Sequence, residues 1–343
     1  RGDVPAQRSV MRVLLYISFF PQLIAGPIIR YHDVDDQLQQ RTITLVGVQA
    51  GLKRFILGLA KKVLIADVMA KCADVVFAMP LNDMNAPLAW LGALAYLLQI
   101  YFDFSGYSDM AIGMARMFGF TYKENFNYPY ISTSIKEFWR RWHISLSTWL
   151  KEYLYIPLGG NRKGCGRTVL NKIFVFVCCG LWHGAAWTFV IWGLIHGLFL
   201  LIEEYLPVKR LPKPLGWLYA MLVVTLAFVV FRAEAFDQAL CMLTQMVIGW
   251  GSWSVDAWLV WCVQLTPYFV FSFVVGLFAA LPVLPLVREK IRALPMPHQK
   301  GWELAGSVIC IGLLAVCVLS LKVALTARSS ISGSKGMRWP IKR

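Results

Sequence analysis

The residues best suited to chemistry in this sequence are histidines set in apolar surroundings. The run Gly180-Leu-Trp-His-Gly-Ala-Ala-Trp187 places His183 inside a long hydrophobic stretch. Ionisable groups in such a setting are costly and tend to serve a function. A neutral imidazole there can accept a proton from a substrate hydroxyl. Gly180 and Gly184 remove side chains on either side of the ring, which permits a kink or a close backbone approach. The plain alternative is a packed, hydrogen-bonded core histidine. His196 follows in Trp192-Gly-Leu-Ile-His-Gly197. On an unbroken helix it would stand about 20 Å and about 220° away from His183, so the two rings cannot serve one reacting atom unless the chain breaks near Gly184. His196 is expected to be structural or to line the substrate path, as is Trp182 beside the first histidine.

Two further segments carry candidates. Tyr101-Phe-Asp-Phe-Ser-Gly-Tyr-Ser-Asp109 interrupts another apolar stretch. Asp103 and Tyr107 lie one helical turn apart and can share a hydrogen bond or touch substrate, although tying helices together would use the same polarity. Over 134–155 a helical period aligns Phe138, Trp142, Leu146, Trp149 and Tyr153 on one stripe. Lys136, Arg140, His143, Ser147 and Lys151 fall on another. The pattern predicts one amphipathic helix lying at the membrane interface. Anchoring accounts for most of these residues, but a histidine anchors no better than Lys or Arg. His143 is therefore a candidate for chemistry. Lys136 and Arg140 share its basic stripe.

The elements that position these residues are membrane spans. Hydrophobic residues make up 58% of the 343, against roughly 45–50% in a soluble domain. Stretches near 11–29, 87–118, 170–206, 215–231, 257–281 and 306–325 are long enough to cross a bilayer, the third as one span plus a broken or re-entrant piece. The segment 51–69 reads as helical but too charged to span. There are 34 basic and 19 acidic residues, a net charge of +15. The basic residues cluster over 136–172, which marks a cytoplasmic loop rather than a nucleic-acid surface. The bilayer is the partner this composition implies, with no nucleic acid. The eight cysteines lack the spacing of a zinc site and read as small core hydrophobes, so no metal is expected. The absence of a phosphate-binding loop or a G-x-S-x-G elbow weakens the case for ATP-driven transport or a serine acyl-enzyme. One membrane domain is expected over 1–325, with earlier helices missing before residue 1. The polar segment 326–343 reads as a disordered tail.

Taken in order, several motifs resemble the membrane-bound O-acyltransferase (MBOAT) family. They are Phe20-Pro-Gln-Leu-Ile-Ala-Gly-Pro27, the 101–109 run, Phe126-Asn-Tyr-Pro-Tyr130, the Ser134–Ser147 run with its Arg-Trp-His, Tyr155-Ile-Pro-Leu-Gly-Gly-Asn-Arg162 and Gly180-Leu-Trp-His-Gly184. Within the family they look most like the members that O-acetylate alginate. The resemblance implies an all-α, polytopic transmembrane protein, a ring of tilted helices around a funnel-shaped centre with in-plane amphipathic helices. It places the family's catalytic histidine on His183 and the second histidine of the related D-alanyl transferases on His143, which with Arg140 and Lys136 would sit where the phosphates of a cytoplasmic acetyl donor arrive. It implies no tightly bound cofactor, with acetyl-CoA or another activated acetyl donor as substrate. A multi-pass protein of the bacterial inner membrane would pass acetyl groups to periplasmic acetyltransferase subunits of a polysaccharide-modifying complex. Acylation of peptidoglycan, cellulose or teichoic acid remains open, as does a non-enzymatic transporter or scaffold.

Overall fold

Helices make up the regular structure of residues 6–23, 26–206, 208–251 and 254–333, which the computed structural model describes. The chain opens with α1 (Val10–Ser18) and, after a 3-10 turn at Phe20–Gln22, α2 (Tyr31–Gln39). Helices α3 (Leu45–Ala60) and α4 (Asp67–Phe77) run together through a π-helical turn, Lys61–Ala66. Then come the long α5 (Ala86–Met117) and two short helices, α6 (Ile135–Arg141) and α7 (Ile144–Leu150). A hairpin of α8 (Cys165–His183) and α9 (Trp187–Tyr205) leads to α10 (Lys213–Arg232) and α11 (Phe236–Ile248). The last four are α12 (Val255–Gln264), α13 (Pro267–Ala279), α14 (Val283–Arg292) and α15 (Met296–Gly333).

Helix α5 is the central post. Asn85 caps it by accepting from the Leu88 N–H at 3.1 Å, and Pro87 fits its first turn, where no N–H is needed. Gly119, at φ +80°, ends the helical path. Along its length α5 packs against α3, α4, α10, α11 and α13. Its closest neighbour is α3, where glycines meet in two reciprocal pairs. A Cβ on Gly58 would stand 2.5 Å from the Gly106 carbonyl oxygen, and one on Gly51 2.5 Å from that of Gly113. Small residues of this kind let two backbones approach and pack without a side-chain layer between them.

Among the described residues, five helices are long and apolar enough to cross a membrane, or six if α12 and α13, bent by 67°, form one broken span. The expected spans at 87–118 and 215–231 correspond to α5 and α10, and that at 306–325 to the apolar part of α15. The stretch 170–206 resolves into two candidate spans, α8 and α9. The stretch 11–29 does not form one. Helix α1 stops at Ser18 because the segment turns at Phe20-Pro21, where the proline lacks an N–H and disfavours helix at the preceding residue. The segment 51–69 belongs to a helical run that continues to Phe77. Three of its four cations are neutralised from α5 and the loop after it: Arg54 binds Asp109 and Glu124, Lys61 binds Asp109 at 2.6 Å, and Lys62 binds Asp103 at 2.7 Å. The segment 134–155 is not one amphipathic helix, since α6 and α7 are separated at Trp142 and His143. Helix α15 runs on to Gly333, into the segment expected to be irregular; residues 334–343 lie outside the described residues, as do Ile24 and Ala25 of the first motif.

Candidate active site

The α8–α9 hairpin sets His183. Gly180 and Gly193 let the two helices touch backbone to backbone: a Cβ on Gly180 would meet the Phe189 carbonyl oxygen at 2.3 Å, and one on Gly193 that of Phe176 at 2.2 Å. At Gly184 a Cβ would overlap the Phe189 ring at 2.4 Å, so this glycine lets the chain turn back tightly. The turn makes His183 the last residue of α8. Its ring is half-buried and ringed by aromatic edges, with Trp182, Trp192 and Phe231 centroids at 5.0, 5.2 and 5.2 Å.

His143 is placed by a different device. Ser134 caps α6 by accepting from the Glu137 N–H at 3.1 Å. The Glu203 carboxylate of α9 accepts from the Ile135 and Lys136 N–H groups. After Trp142 the backbone enters the left-handed region at His143, φ +43°. A non-glycine residue there costs roughly 1–3 kcal/mol, and it persists because the surroundings hold it. They do so through residues 125–127. The Ile144 N–H donates to the Asn125 carbonyl at 2.9 Å, and the Asn127 N–H donates to the Arg141 carbonyl at 2.9 Å.

Both histidines face one cavity of about 730 Å³, a size suited to a small-molecule ligand. Asp103, Tyr107 and Trp182 also line it. Trp182 lies between the two imidazoles, 6.1 Å from His143 and 5.0 Å from His183. His143 is only 3% exposed, its ring packed edge-on against Phe104 at 4.6 Å. Burial, and next the charge of His183, lower its pKa to about 3, so it is neutral at physiological pH.

Three other candidates stand elsewhere. Lys136 and Arg140 are exposed on α6 and do not line the cavity. His196 is fully buried behind Trp192, stacked on Phe138 at 6.0 Å, and does not reach the cavity either. The broken hairpin thus brings His183 and His143 together rather than His183 and His196. Within the 101–109 run the polar residues divide their work. Asp103 faces the cavity while paired with Lys62 rather than with Tyr107; Ser108 accepts from Asn125, and Asp109 holds Arg54 and Lys61.

Sequence reasoning missed part of the wall. Tyr16, Gln22, Tyr96, Phe104 and Phe231 line the cavity, and Asn125 and Ser145 support it from behind. Gln22 lies in the first quoted motif, Phe104 and Ser145 within two others, and Asn125 next to the Phe126 motif. The remaining three carried no local signal. Among the described residues no three His, Cys, Asp or Glu side chains converge to hold a metal ion.

The family model for the membrane-bound O-acyltransferases (MBOAT) matches residues 6–243. The chain belongs to the MBOAT family. That range includes α1 to α10 and every residue lining the cavity. Consistent with the family, the fold is all-α, and the protein is a multi-pass membrane protein. Among curated proteins, the chain is 53% identical over 259 residues to the "Probable alginate O-acetylase AlgI" of Azotobacter vinelandii, covering 75% of this chain and 51% of that protein. It is 46% identical over 242 residues to the peptidoglycan O-acetyltransferase of Helicobacter pylori, covering 68% and 46%. It is 30% identical over 252 residues to the teichoic acid D-alanyltransferase of Bacillus subtilis, covering 69% and 63%. The chain therefore spans about half the length of the alginate and peptidoglycan relatives it matches.

Proposed function

We propose that this MBOAT chain carries the reaction centre of an O-acetyltransferase that modifies a cell-envelope polysaccharide, alginate in the first instance. The observation that carries the reading is the convergence of His183 and His143 on one cavity, with Trp182 between them. The reaction needs a base beside an acceptor hydroxyl and a pocket that holds an activated acyl group away from water. His183 is assigned as that base. Its imidazole takes the hydroxyl proton as the oxygen attacks the acyl carbonyl, and returns it to the leaving group as the acyl–donor bond breaks. The product is an ester, and the donor departs protonated, so no net acid or base is consumed.

Acetyl-CoA or another activated acetyl donor is the proposed substrate, arriving from the cytoplasmic side of the bacterial inner membrane. Periplasmic acetyltransferase subunits are the proposed recipients of the acetyl group. The names of the alginate and peptidoglycan relatives support O-acetyl chemistry. An export channel that makes no covalent bond is the reading to be excluded by experiment. In liposomes containing the full-length protein and labelled acetyl donor, the native protein is expected to transfer label, and His183→Ala to lose about 10²- to 10⁴-fold in rate. Undiminished transfer by His183→Ala would remove the histidine from the mechanism. Flux of label without ester formation would replace the enzyme with a carrier.

A further inference from the structure

Behind His143 lies a small hydrogen-bond cluster built from Asn125, Ser145 and Ser108. The Asn125 side chain, from a residue 1% exposed, has its Oδ1 3.1 Å from the Ser145 N–H and 2.8 Å from Ser145 Oγ. The backbone N–H can only donate, so this atom must be the amide oxygen. Turning the amide over would set two donors against each other. The amide nitrogen correspondingly donates to Ser108 Oγ at 3.2 Å. Ser145 Oγ stands 2.8 Å from Asn125 Oδ1 and 3.4 Å from His143 Nδ1, so its proton goes to the nearer amide oxygen, and it accepts from the Ile28 N–H at 3.0 Å.

His143 Nδ1 stands 3.2 Å from the same Asn125 oxygen. An oxygen that already accepts two hydrogen bonds has no proton to offer, so Nδ1 carries the hydrogen. The neutral ring has only one. Nε2 is therefore a bare lone pair, and it has no partner although it is buried. A buried acceptor left empty is unfavourable, and the residue that carries it lines the cavity.

We infer that Asn125 is a positioning residue, which holds His143 as the Nδ1–H tautomer and turns its Nε2 lone pair to the cavity to accept from an O–H or N–H group of the bound substrate. The inference rests on the acyl-transfer reading for the identity of that substrate, an acceptor hydroxyl, but not for the tautomer. It also settles what His143 does not do. A neutral ring presenting a lone pair repels anionic phosphate, so His143 recognises a hydrogen-bond donor and not the charged end of an acetyl donor. Ser145 links the device to the cavity wall, because the same hydroxyl that binds Asn125 also holds the loop at Ile28.

The tautomer is directly measurable. In the full-length protein labelled with ¹⁵N-histidine, the His143 resonances are assigned by their loss in His143→Gln. The native protein is expected to show a protonated Nδ1 and an unprotonated Nε2. Asn125→Leu removes the acceptor oxygen and is expected to move the proton partly or wholly to Nε2. Its kcat for acetyl transfer should fall roughly 10- to 100-fold with the donor KM unchanged, as when an outer-shell partner that orients a histidine is removed. Asn125→Asp keeps an acceptor oxygen at the same place and should restore both the Nδ1–H signal and most of kcat. A native His143 protonated at Nε2 overturns the inference without any variant. So does an Asn125→Leu protein that folds with tautomer and kcat unaltered. A native protein with the expected tautomer but no acetyl transfer leaves the positioning intact and refutes the acyl-transfer reading instead.

Discussion

His143 and His183 reach the same cavity from segments that obey different local rules, and their chemistry follows from those rules. His183 ends a helix at a glycine turn and is half-open to the cavity. His143 sits in a left-handed backbone position with its ring buried and neutral. Arg140, three residues earlier, is exposed on α6, outside the cavity. His143→Ala is therefore expected to lower kcat about 10-fold or more, while Arg140→Ala leaves kcat and donor KM within about twofold. A loss of interaction made only in the transition state lowers kcat and kcat/KM together, whereas lost uniform binding raises KM alone. Steady-state transfer rates at varied donor concentration distinguish the two. A raised donor KM in Arg140→Ala would place the donor's path over α6. The sequence shows His183 and His143 as candidates through residue type and surroundings. It does not show Asn125, because its function depends on pairing between 125–127 and 141–145 that no local pattern encodes.

At the level of helices, the charged segment and the amphipathic segment are where the expected elements and the observed ones part. A hydropathy window counts Lys53, Arg54, Lys61 and Lys62 as four charges, but three of them are ion-paired with Asp103, Asp109 or Glu124. The helical period over 134–155 correctly groups Phe138, Trp142 and Leu146, which are all buried. It has no means of registering that Asn125 pairs with the chain at 144 and breaks the helix there. The glycine contacts between α3 and α5 yield a sharper expectation. An alanine at Gly58 brings a Cβ against the Gly106 carbonyl oxygen and the Met110 nitrogen, at 2.5 and 2.8 Å, neither of which can rotate away. The helices must separate, at a cost of about 1–3 kcal/mol, and Asp103 moves with α5. Gly58→Ala is expected to lower the thermal unfolding midpoint in detergent by several degrees and to reduce transfer. Gly306→Ala, on the open side of α15 with nothing within 4 Å, should leave the midpoint unchanged or raise it slightly, since alanine is the better helix former. Equal midpoints for Gly58→Ala and the native protein would mean that the two helices are not in backbone contact.

Seen as a whole, the molecule presents apolar side chains outward over much of α8 to α15, including Leu181, Leu218, Phe271 and Leu319, as a protein solvated by lipid does. Among the described residues the number of candidate spans was legible in the sequence to within one, although the stretch 11–29 forms none because Pro21 turns a chain that hydropathy counts as continuous. Orientation rests on charge. Lys151, Arg162, Lys163 and Arg167 gather before and at the start of α8, and such loops favour the cytoplasmic side. Cys165 lies among them as the first residue of α8, and it is exposed. His183 is the last residue of the same helix, about 27 Å further along at 1.5 Å per residue. A charged, membrane-impermeant maleimide is therefore expected to label Cys165 in inverted membrane vesicles and not in right-side-out ones, with the Cys165→Ser variant identifying the signal. Because the labelled residue stands a helix length from the imidazole, modification should leave acetyl transfer undiminished. Ser147 is a poor reporter for the same purpose, since its hydroxyl is buried. Labelling of Cys165 from the periplasmic side alone would invert the topology and, with it, the side proposed for entry of the acetyl donor.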